Sequence, residues 1–330
     1  MGWIKNNSRL VVGIGSALID ILVHEDDDFL KKAGGVKGGM IYVDKDYIEH
    51  ILTLTSSEPR IVPGGSACNT VIGISRLGGQ ACFVGTSGKD AMGIFYETNL
   101  KASHVEPTLF KSSSPTGRVL SIITPDAQRS MFTFLGAASE IQPEEITNDC
   151  FSNAAVVHIE GYIVFNEDLI MAALNAAKQS GACISLDLAS FTVVKEAKPL
   201  LDKIVEKFVD ILMANEDEAL AFTGCSDEDK ALDRLAENVK IAVLKLGERG
   251  SYISHFGKRV KIDPFGTGVA IDTTGAGDLW ASGFLFGLVN GYDIKSCGRI
   301  GSVCGYEVCQ VVGANIPPKG WQRIKKILEE

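Results

Sequence analysis

The stretch Ile271-Asp272-Thr273-Thr274-Gly275-Ala276-Gly277-Asp278, followed by the apolar run 279–286, decides how this chain is organised. Its three residues Gly275, Ala276 and Gly277 have little or no side chain, so a ligand can come close to their backbone amides. We interpret the stretch as a turn that opens a helix, where the first amides are unpaired and the dipole adds positive charge. The pattern therefore predicts an anion site.

Asp278 places a carboxylate in the same turn as this anion site. A hydroxyl group held between Asp278 and the amides could give its proton to the carboxylate while the amides hold a phosphoryl group. The alternative is a glycine-rich helix start in which Asp278 is an ordinary first-turn acid. The motif alone favours that alternative, and the rest of the chain shifts the balance toward catalysis.

Composition indicates a globular protein with one large α/β domain or two smaller ones, since the 330 residues are 45% hydrophobic and 22% charged. The net charge of −9, without a local basic patch, argues against a nucleic-acid groove. Eight scattered cysteines without zinc spacing indicate the reduced thiols of a cytoplasmic protein. No apolar run reaches the roughly 18 residues of a membrane span.

The second half of the chain alternates between strand and helix patterns. Short apolar runs predict strands at 154–159, 182–186, 211–213, 241–246 and 251–254. Helical patterns fall at 167–179, 193–208, 217–222, 227–238 and 277–289. This alternation predicts a parallel sheet with helices on both faces.

A second, smaller sheet is predicted from the first half of the chain. The segments 118–124 and 129–134 have the pattern of a β-hairpin around a turn at 125–128. The short strand candidate 41–43 follows the first strand, 10–15, too closely for a packed crossover helix. We therefore expect the 41–43 strand to join the hairpin.

Near the N-terminus, Gly13-Ile14-Gly15 has the start of a dinucleotide fingerprint, but Leu18 stands where its third glycine would fall and no clear helix follows. Asp20 is predicted just past the carboxyl end of the first strand, where α/β sheets bind ligands. Its carboxylate could accept hydrogen bonds from sugar hydroxyls. A simple turn aspartate is equally compatible with this position.

The segment 60–69 contains a second glycine turn, Pro63-Gly64-Gly65, before a predicted helix. Ser66 is the expected N-cap, and Gly78-Gly79 the expected C-terminal stop. Asn69, one turn into the helix, could offer its amide to a hydroxyl group. The alternative is a plain loop and capped helix.

Two further segments follow predicted strands. Asn215-Glu216-Asp217-Glu218 opens a helix, and helix capping explains its acids well. The functional interpretation is that Glu218 organises Mg²⁺ through water while Asn215 lies near a nucleotide phosphate. The segment from Lys245 to Gly250 ends a strand with two glycines and either passes close to a nucleotide or forms a hairpin turn.

Together these motifs resemble the ribokinase-like (PfkB) carbohydrate kinases over nearly the whole chain. They keep the family's order, and the last is the most specific: Gly64-Gly65-x-x-x-Asn69, Asn215-x-x-Glu218, Leu246-Gly247-x-x-Gly250 and Asp272 to Asp278. The resemblance implies a ribokinase-like three-layer α/β sandwich with a mostly parallel central sheet and a small β-sheet lid. It also implies one kinase domain over 1–330, with lid segments at about 20–47 and 112–136.

The resemblance implies a role for each motif residue. Asp278 would be the general base for a primary hydroxyl, and Gly275, Ala276 and Gly277 the anion hole for the γ-phosphoryl group. Sugar hydroxyls would be bound by Asp20, Gly64, Gly65 and Asn69. ATP would be bound by Asn215, Lys245, Gly247, Gly250 and Asp187, with Glu218 serving Mg²⁺. Many members of the family also respond to a monovalent cation such as K⁺.

Within the family, the segments 185–191 and 124–131 are similar to the adenosine-kinase branch. Ala189 stands where sugar kinases commonly carry asparagine, which is a weak discriminator. Tyr42, Phe132 and Phe134 could stack on a base, although packing within the lid is the favoured interpretation.

These observations predict ATP-dependent transfer of the γ-phosphoryl group to the CH₂OH of a ribose-like ring, free or within a nucleoside. The expected partners are that small molecule and ATP, without nucleic acid or membrane, and a homodimer through the lid is plausible. Two alternatives remain: a catalytically silent sugar or nucleoside sensor on the same scaffold, and a nicotinamide-dependent enzyme that uses Gly13–Gly15.

Overall fold

The structure is a computed structural model that describes residue 4 and residues 8–126 and 128–328. One residue of the predicted 125–128 turn, Ala127, lies outside the described residues. The described strands are β1 (Leu10–Ile14), β2 (Leu18–His24), β3 (Met40–Tyr42), β4 (Arg60–Gly64), β5 (Ala81–Gly88), β6 (Val105–Ser112), β7 (Gly117–Ile123), β8 (Arg129–Phe134), β9 (Ala154–Glu160), β10 (Cys183–Asp187), β11 (Ile211–Asn215), β12 (Ile241–Lys245), β13 (Ser251–His255) and β14 (Lys258–Ile262).

The α-helices connect the strands, and several of them cover the two faces of the larger sheet. The described helices are α1 (Asp27–Lys32), α2 (Lys45–Leu54), α3 (Ser66–Arg76), α4 (Ala91–Ala102), α5 (Glu167–Ser180), α6 (Phe191–Lys207), α7 (Glu216–Thr223), α8 (Glu228–Leu235), α9 (Ala276–Val289), α10 (Ile294–Cys309) and α11 (Pro318–Leu328). No helix in the described part of the chain combines the length and apolarity needed to cross a bilayer.

The larger sheet has nine strands in the order β14-β13-β12-β11-β10-β9-β1-β5-β6. All neighbouring pairs are parallel except the two that involve β13. The mostly parallel sheet predicted from the alternating pattern is therefore confirmed. Since parallel strands end at the same edge, the carboxyl ends of β9 to β12 bring Glu160, Asp187, Asn215 and Lys245 to one side of the molecule.

Both faces of the larger sheet are buried, as strands between two helical layers require. Alternate residues of a strand belong to different cores: Ile211 belongs to the core that contains the buried residues of α3 and α9, whereas Leu212 belongs to the core that contains those of α5 and α6. The result is the three-layer α/β arrangement that was expected.

The smaller sheet has five strands in the order β3-β8-β7-β2-β4. The β7–β8 hairpin and its pairing with β3 confirm the predicted second sheet. Two predictions are corrected here. Pro63 and Gly64 of the predicted turn 63–65 belong instead to the edge strand β4, and an edge tolerates Pro63 because its missing N–H has no strand to bond. Asp20 lies inside β2, because only three residues separate β1 from β2.

Candidate functional site

A cavity of about 1410 Å³ lies between the smaller sheet and the carboxyl edge of the larger one. It is lined by nearly every residue that the sequence singled out: Asp20, Gly65, Asn69, Asp187, Asn215, Glu218, Lys245, Gly247, Gly250, Gly275, Ala276, Gly277 and Asp278. Gly64 is not among the lining residues but packs against Asp20, since a Cβ atom on Gly64 would lie 2.5 Å from the Asp20 carboxyl carbon. The structure therefore brings residues from six distant segments into one site.

Asp278, in the first turn of α9, is held by two side chains of α3. Its Oδ1 accepts a hydrogen bond from the Ser66 hydroxyl at 2.7 Å, and its Oδ2 accepts one from the Asn69 amide at 2.9 Å. Burial raises the pKa of Asp278 to about 6, although both hydrogen bonds favour the charged form. The group is an oriented carboxylate that can take up a proton near neutral pH.

Ser66 therefore does not play its predicted role. Gly65 is the N-cap of α3, with φ at 97°, and Ser66 is the first helical residue. A Cβ atom on Gly65 would lie 2.2 Å from the Ser16 carbonyl oxygen, so only glycine fits this position. The Ser66 hydroxyl is turned away from the helix end and donates to Asp278 instead.

The turn before α9 is held in place by hydrogen bonds to the buried side chain of Asp272. Its Oδ1 accepts hydrogen bonds from the Thr274 amide and hydroxyl at 2.9 and 2.7 Å, and its Oδ2 accepts one from the Gly313 amide at 2.8 Å. Gly275 is the N-cap of α9 with φ at 73°, a conformation that favours glycine.

One part of the predicted anion hole is corrected. The Ala276 amide donates to the Thr273 carbonyl at 3.1 Å, so it is already used inside the turn. The described residues give the amides of Gly275 and Gly277 no hydrogen-bond acceptor. Two of the three predicted amides thus stay available to an anion at the helix start.

Asp20, on β2, lines the end of the cavity beside the smaller sheet and is only 8% exposed. Burial raises its pKa to about 6, opposed by the charge of Arg129 and reinforced by that of Asp278. Arg129, on β8, lines the same end and was not singled out by the sequence. Tyr42 also lines the cavity, whereas Phe132, on β8, is fully buried and stacks on Tyr47 of α2.

A buried ion pair lies at the other end of the cavity. The Lys245 ammonium is 2.7 Å from Asp187 Oδ2, and Lys245 Nζ is 3.1 Å from the place where a Cβ of Gly277 would be. Burial favours the neutral form of both groups, but each is outweighed by its partner: the pKa of Lys245 is raised and that of Asp187 lowered. A fixed positive charge therefore stands beside the anion site.

Glu218 and Asn215 form the capping box of α7. Glu218 accepts hydrogen bonds from the Asn215 amide nitrogen at 2.8 Å and from its side-chain amide at 2.7 Å. Burial raises the pKa of Glu218 to about 7, reinforced by the neighbouring charge of Asp187. Asn215 and Glu218 thus cap α7 and line the cavity at the same time.

A metal would have few direct protein ligands here. The described residues contain no group of three or more His, Cys, Asp or Glu side chains that could hold a metal ion. Both Glu218 oxygens keep lone pairs beyond the two hydrogen bonds, and the residue faces the cavity. This donor set fits Mg²⁺ held mainly through water, since Mg²⁺ needs only one or two carboxylates.

The segment after β12 is a hairpin turn, as one of the two interpretations predicted, and its glycines also line the cavity. Gly247 and Gly250 flank a short 3₁₀ turn that joins β12 to the antiparallel strand β13. Gly13, by contrast, faces α3: a Cβ atom there would lie 2.7 Å from Val71. The chain runs from Gly15 into β2 rather than into a helix, which removes the dinucleotide interpretation.

Comparison with known proteins agrees with this geometry. The profile of the pfkB family carbohydrate kinases matches residues 40–320. Probable fructokinase-4 of Arabidopsis thaliana is 30% identical over 241 residues, which cover 69% of this chain and 73% of that protein.

Two solved structures are similar over nearly their whole length. The probable sugar kinase protein from Rhizobium etli CFN 42 superposes with a TM-score of 0.89 at 30% identity, covering 97% of this chain and 99% of that one. The adenosine kinase from Sinorhizobium meliloti superposes with a TM-score of 0.88 at 31% identity, covering 98% and 99%.

Kinases of this family generally use ATP with a divalent metal, and they act on a small-molecule substrate. The relatives are named as kinases, which favours an enzyme over a silent sensor. The chain therefore belongs to the pfkB family of carbohydrate kinases and is a sugar or nucleoside kinase that phosphorylates an alcohol group.

Proposed function

We propose that the chain transfers the γ-phosphoryl group of ATP to the CH₂OH of a ribose-like ring, free or within a nucleoside. The observation that carries this proposal is the arrangement around Asp278. Its carboxylate is fixed by Ser66 and Asn69, one residue beyond the Gly277 amide and in the same cavity as Asp20.

In this mechanism the hydroxyl oxygen of the acceptor forms a bond to the γ-phosphorus while the bond from that phosphorus to ADP breaks. Asp278 takes the hydroxyl proton as general base. The amides of Gly275 and Gly277 stabilise the charge on the transferring group, which costs little reorganisation because the turn is held by Asp272. Phosphoryl transfer asks mainly for such positioning and charge stabilisation.

On the nucleotide side, Lys245 is placed to contact the phosphates, with Asp187 fixing its position. Asn215, Gly247 and Gly250 line the same end of the cavity. Glu218 would hold Mg²⁺ through water, and the ion would neutralise phosphate charge when bound. Turnover in magnesium with and without a chelator checks the metal.

A monovalent cation such as K⁺ is a separate part of the proposal. It is supported by the family resemblance only. Turnover in potassium chloride against tetramethylammonium chloride at equal ionic strength tests it. Equal rates in the two salts would remove K⁺ from the account.

The position of Tyr42 supports an acceptor larger than a bare sugar. Tyr42 is 59% exposed and lines the cavity from the smaller sheet, where a flat heterocycle could pack on its ring. This favours a nucleoside among the acceptors. A panel of adenosine, inosine, ribose, fructose and fructose 6-phosphate with ATP identifies which of them is turned over.

The test of the base is Asp278→Asn, assayed with whichever acceptor of the panel gives the highest rate. Loss of a general base lowers kcat by on the order of 10²–10⁴. The matched control is Asp293→Asn, because Asp293 caps α10 through the Ser296 amide and asparagine caps a helix equally well. Near-wild-type activity of a folded Asp278→Asn enzyme would disprove the assigned role.

We also propose that the smaller sheet acts as a lid over the acceptor.

The same sheet, we propose, pairs two copies of the chain. The exposed apolar side chains Val36 and Ile61, at 66% and 39% exposure, support this pairing. The eight cysteines, which form no disulfides in the described residues, support a location in the cytoplasm. Sedimentation of the wild type and of Ile61→Lys checks the pairing: a dimer should dissociate in the variant, and a monomeric wild type would end this part of the proposal.

A further inference from the structure

We propose that Glu160 is a positioning residue that joins two of the connections between the larger sheet and the smaller one, and thereby sets the acceptor groups against Asp278. This inference rests on the proposed function of the cavity. Glu160 ends β9 and is 1% exposed, and nothing in the motifs of the sequence points to it.

The chain passes between the two sheets at four places. These are the turn between β1 and β2, the junction of β4 with α3, the segment between β6 and β7, and the residues after β8. The first two carry the acceptor side of the site. The strand β2 contains Asp20, and the first turns of α3 contain Ser66 and Asn69.

Glu160 bonds to both of these connections at once. Its Oε1 accepts a hydrogen bond from the Ser16 amide at 2.8 Å, in the turn between β1 and β2. Its Oε2 accepts one from the Ala67 amide at 3.0 Å, in the first turn of α3. A Cβ atom on Gly15 would lie 2.2 Å from Oε2, so the turn is packed directly on the carboxylate.

The carboxylate also supplies what the N-terminus of α3 lacks. Gly65 is the N-cap and has no side chain that could accept a hydrogen bond from the first turn. Glu160 does this from another strand, and its charge suits the helix dipole. Burial raises the pKa of Glu160, while the two amide hydrogen bonds oppose that rise.

The geometric consequence concerns the acceptor and not ATP. If the Ser16 turn and the start of α3 separate, Asp20 moves relative to the Ser66–Asn69 pair that orients Asp278. Lys245 and Asp187 lie on β12 and β10 and do not depend on either connection. A change at Glu160 should therefore weaken use of the acceptor while leaving use of ATP nearly intact.

The experiment compares Glu160→Gln with Glu307→Gln. Glutamine keeps the size of the side chain but turns an NH₂ group toward one backbone N–H, so one buried donor loses its acceptor. The control Glu307 is also buried, at 4% exposure, and pairs with Arg323 away from the cavity. Both variants lose a buried carboxylate, but Glu160 lines the cavity and bonds to the two connections, whereas Glu307 forms an ion pair with Arg323.

In Glu160→Gln, kcat/KM for the acceptor (adenosine, or the best acceptor of the panel) should fall by roughly 5- to 150-fold, the range expected for one buried donor left unpaired. The KM for ATP should change by less than about twofold. Glu307→Gln should lower thermal stability without separating the two substrates. Equal loss for ATP and acceptor, or lower stability alone, would overturn the positioning role.

Hydrogen exchange of the ligand-free protein gives a second measurement that does not need turnover. The amides of Ser16 and Ala67 should exchange faster in Glu160→Gln than in wild type, and unchanged protection would contradict the proposal. Glu160→Asp, whose shorter side chain cannot span both amides, serves if the glutamine variant does not fold. If Asp278→Asn keeps its activity, the proposed function fails, while the exchange result still tests Glu160.

Discussion

Asp278 owes its direction to Ser66 and Asn69, which are over 200 positions away in the chain, and its raised pKa to burial. Since a general base must be deprotonated, its pKa of about 6 sets where activity begins. We expect log kcat/KM for the acceptor to rise with pH up to about 6 and to level off above it. A pH–rate profile at saturating ATP measures this limb.

Ser66→Ala provides the directional check on that assignment. The Ser66 hydroxyl donates to the charged carboxylate, so its removal should raise the pKa of Asp278 and move the acidic limb to higher pH. Asp20 also has its pKa raised to about 6, and Asp20→Asn is the control. If the limb disappears in Asp20→Asn but stays unmoved in Ser66→Ala, the limb belongs to Asp20.

Gly277 tests the anion site separately from the fold. A Cβ atom at this position would meet only the Lys245 ammonium, at 3.1 Å, so alanine fits the helix once that group shifts by a few tenths of an ångström. Gly277→Ala should keep the thermal midpoint, or raise stability by up to about 1 kcal/mol, because alanine is the better helix former. The methyl group would stand between Lys245 and the phosphoryl group, and kcat should fall by on the order of 10². Calorimetry and steady-state kinetics on one preparation show whether the two effects separate.

Single residues were predictable from the sequence where their neighbours in the site are also neighbours in the chain. The turn from Asp272 to Asp278 is contiguous, so its chemistry shows in the motif. Ser66 was assigned to its own helix end because its partner, Asp278, lies 212 positions away. Glu160 belongs to no motif and shows in the sequence only as a charged residue directly after the strand predicted at 154–159.

At the scale of elements, the site depends on how closely α3 approaches α9. A Cβ atom on Gly73 would lie 2.3 Å from the Ser282 hydroxyl and 2.8 Å from Leu279. Gly73→Ala should therefore push the two helices apart, cost about 1–3 kcal/mol of stability and lower kcat, because Asn69 and Asp278 stand on opposite sides of this contact. Unfolding curves and kcat measure both effects.

The double variant Gly73→Ala/Ser282→Gly shows whether the clash is the cause. Glycine at 282 removes the side chain that the new methyl group would meet, so part of the lost stability and activity should return. Recovery of neither quantity would mean that the hydrogen bonds of Ser282 to Thr70 and Asp278, and not the spacing, control this contact.

Helices and strands were predictable from the sequence where the apolar pattern of a segment matches its burial in the fold. The buried strands β9 to β12 are short apolar runs and were predicted close to their observed bounds. The edge strand β4 was missed because Pro63 and Gly64 have the signature of a turn. Their acceptance in a strand depends on its place at the sheet edge, which is a tertiary property.

At the scale of the whole molecule, one cavity concentrates buried acids that oppose folding when charged. Burial raises the pKa of Asp20, Glu160, Glu218 and Asp278. Burial also lowers the pKa of His158 to about 4. A raised acid loses stability as pH rises through its folded pKa, whereas a buried neutral histidine gains stability over the same range. The effects of the acids and of His158 on stability thus partly cancel as pH changes. Only the difference in stability between two variants isolates the contribution of one group.

Asp278→Asn supplies that difference. The wild type holds a carboxyl whose pKa is about 6 when folded and ordinary when unfolded, so folding favours its protonated form. As pH rises from about 4 to about 6, the wild type should lose stability relative to the asparagine variant by about 1–3 kcal/mol in total, and the difference should level off above about pH 6.5. Thermal midpoints of both proteins across this range measure it. If the difference in thermal midpoint between the two proteins did not change with pH, Asp278 would have the same pKa in the folded and the unfolded state. Ionisation of the catalytic carboxyl would then cost the folded protein no stability.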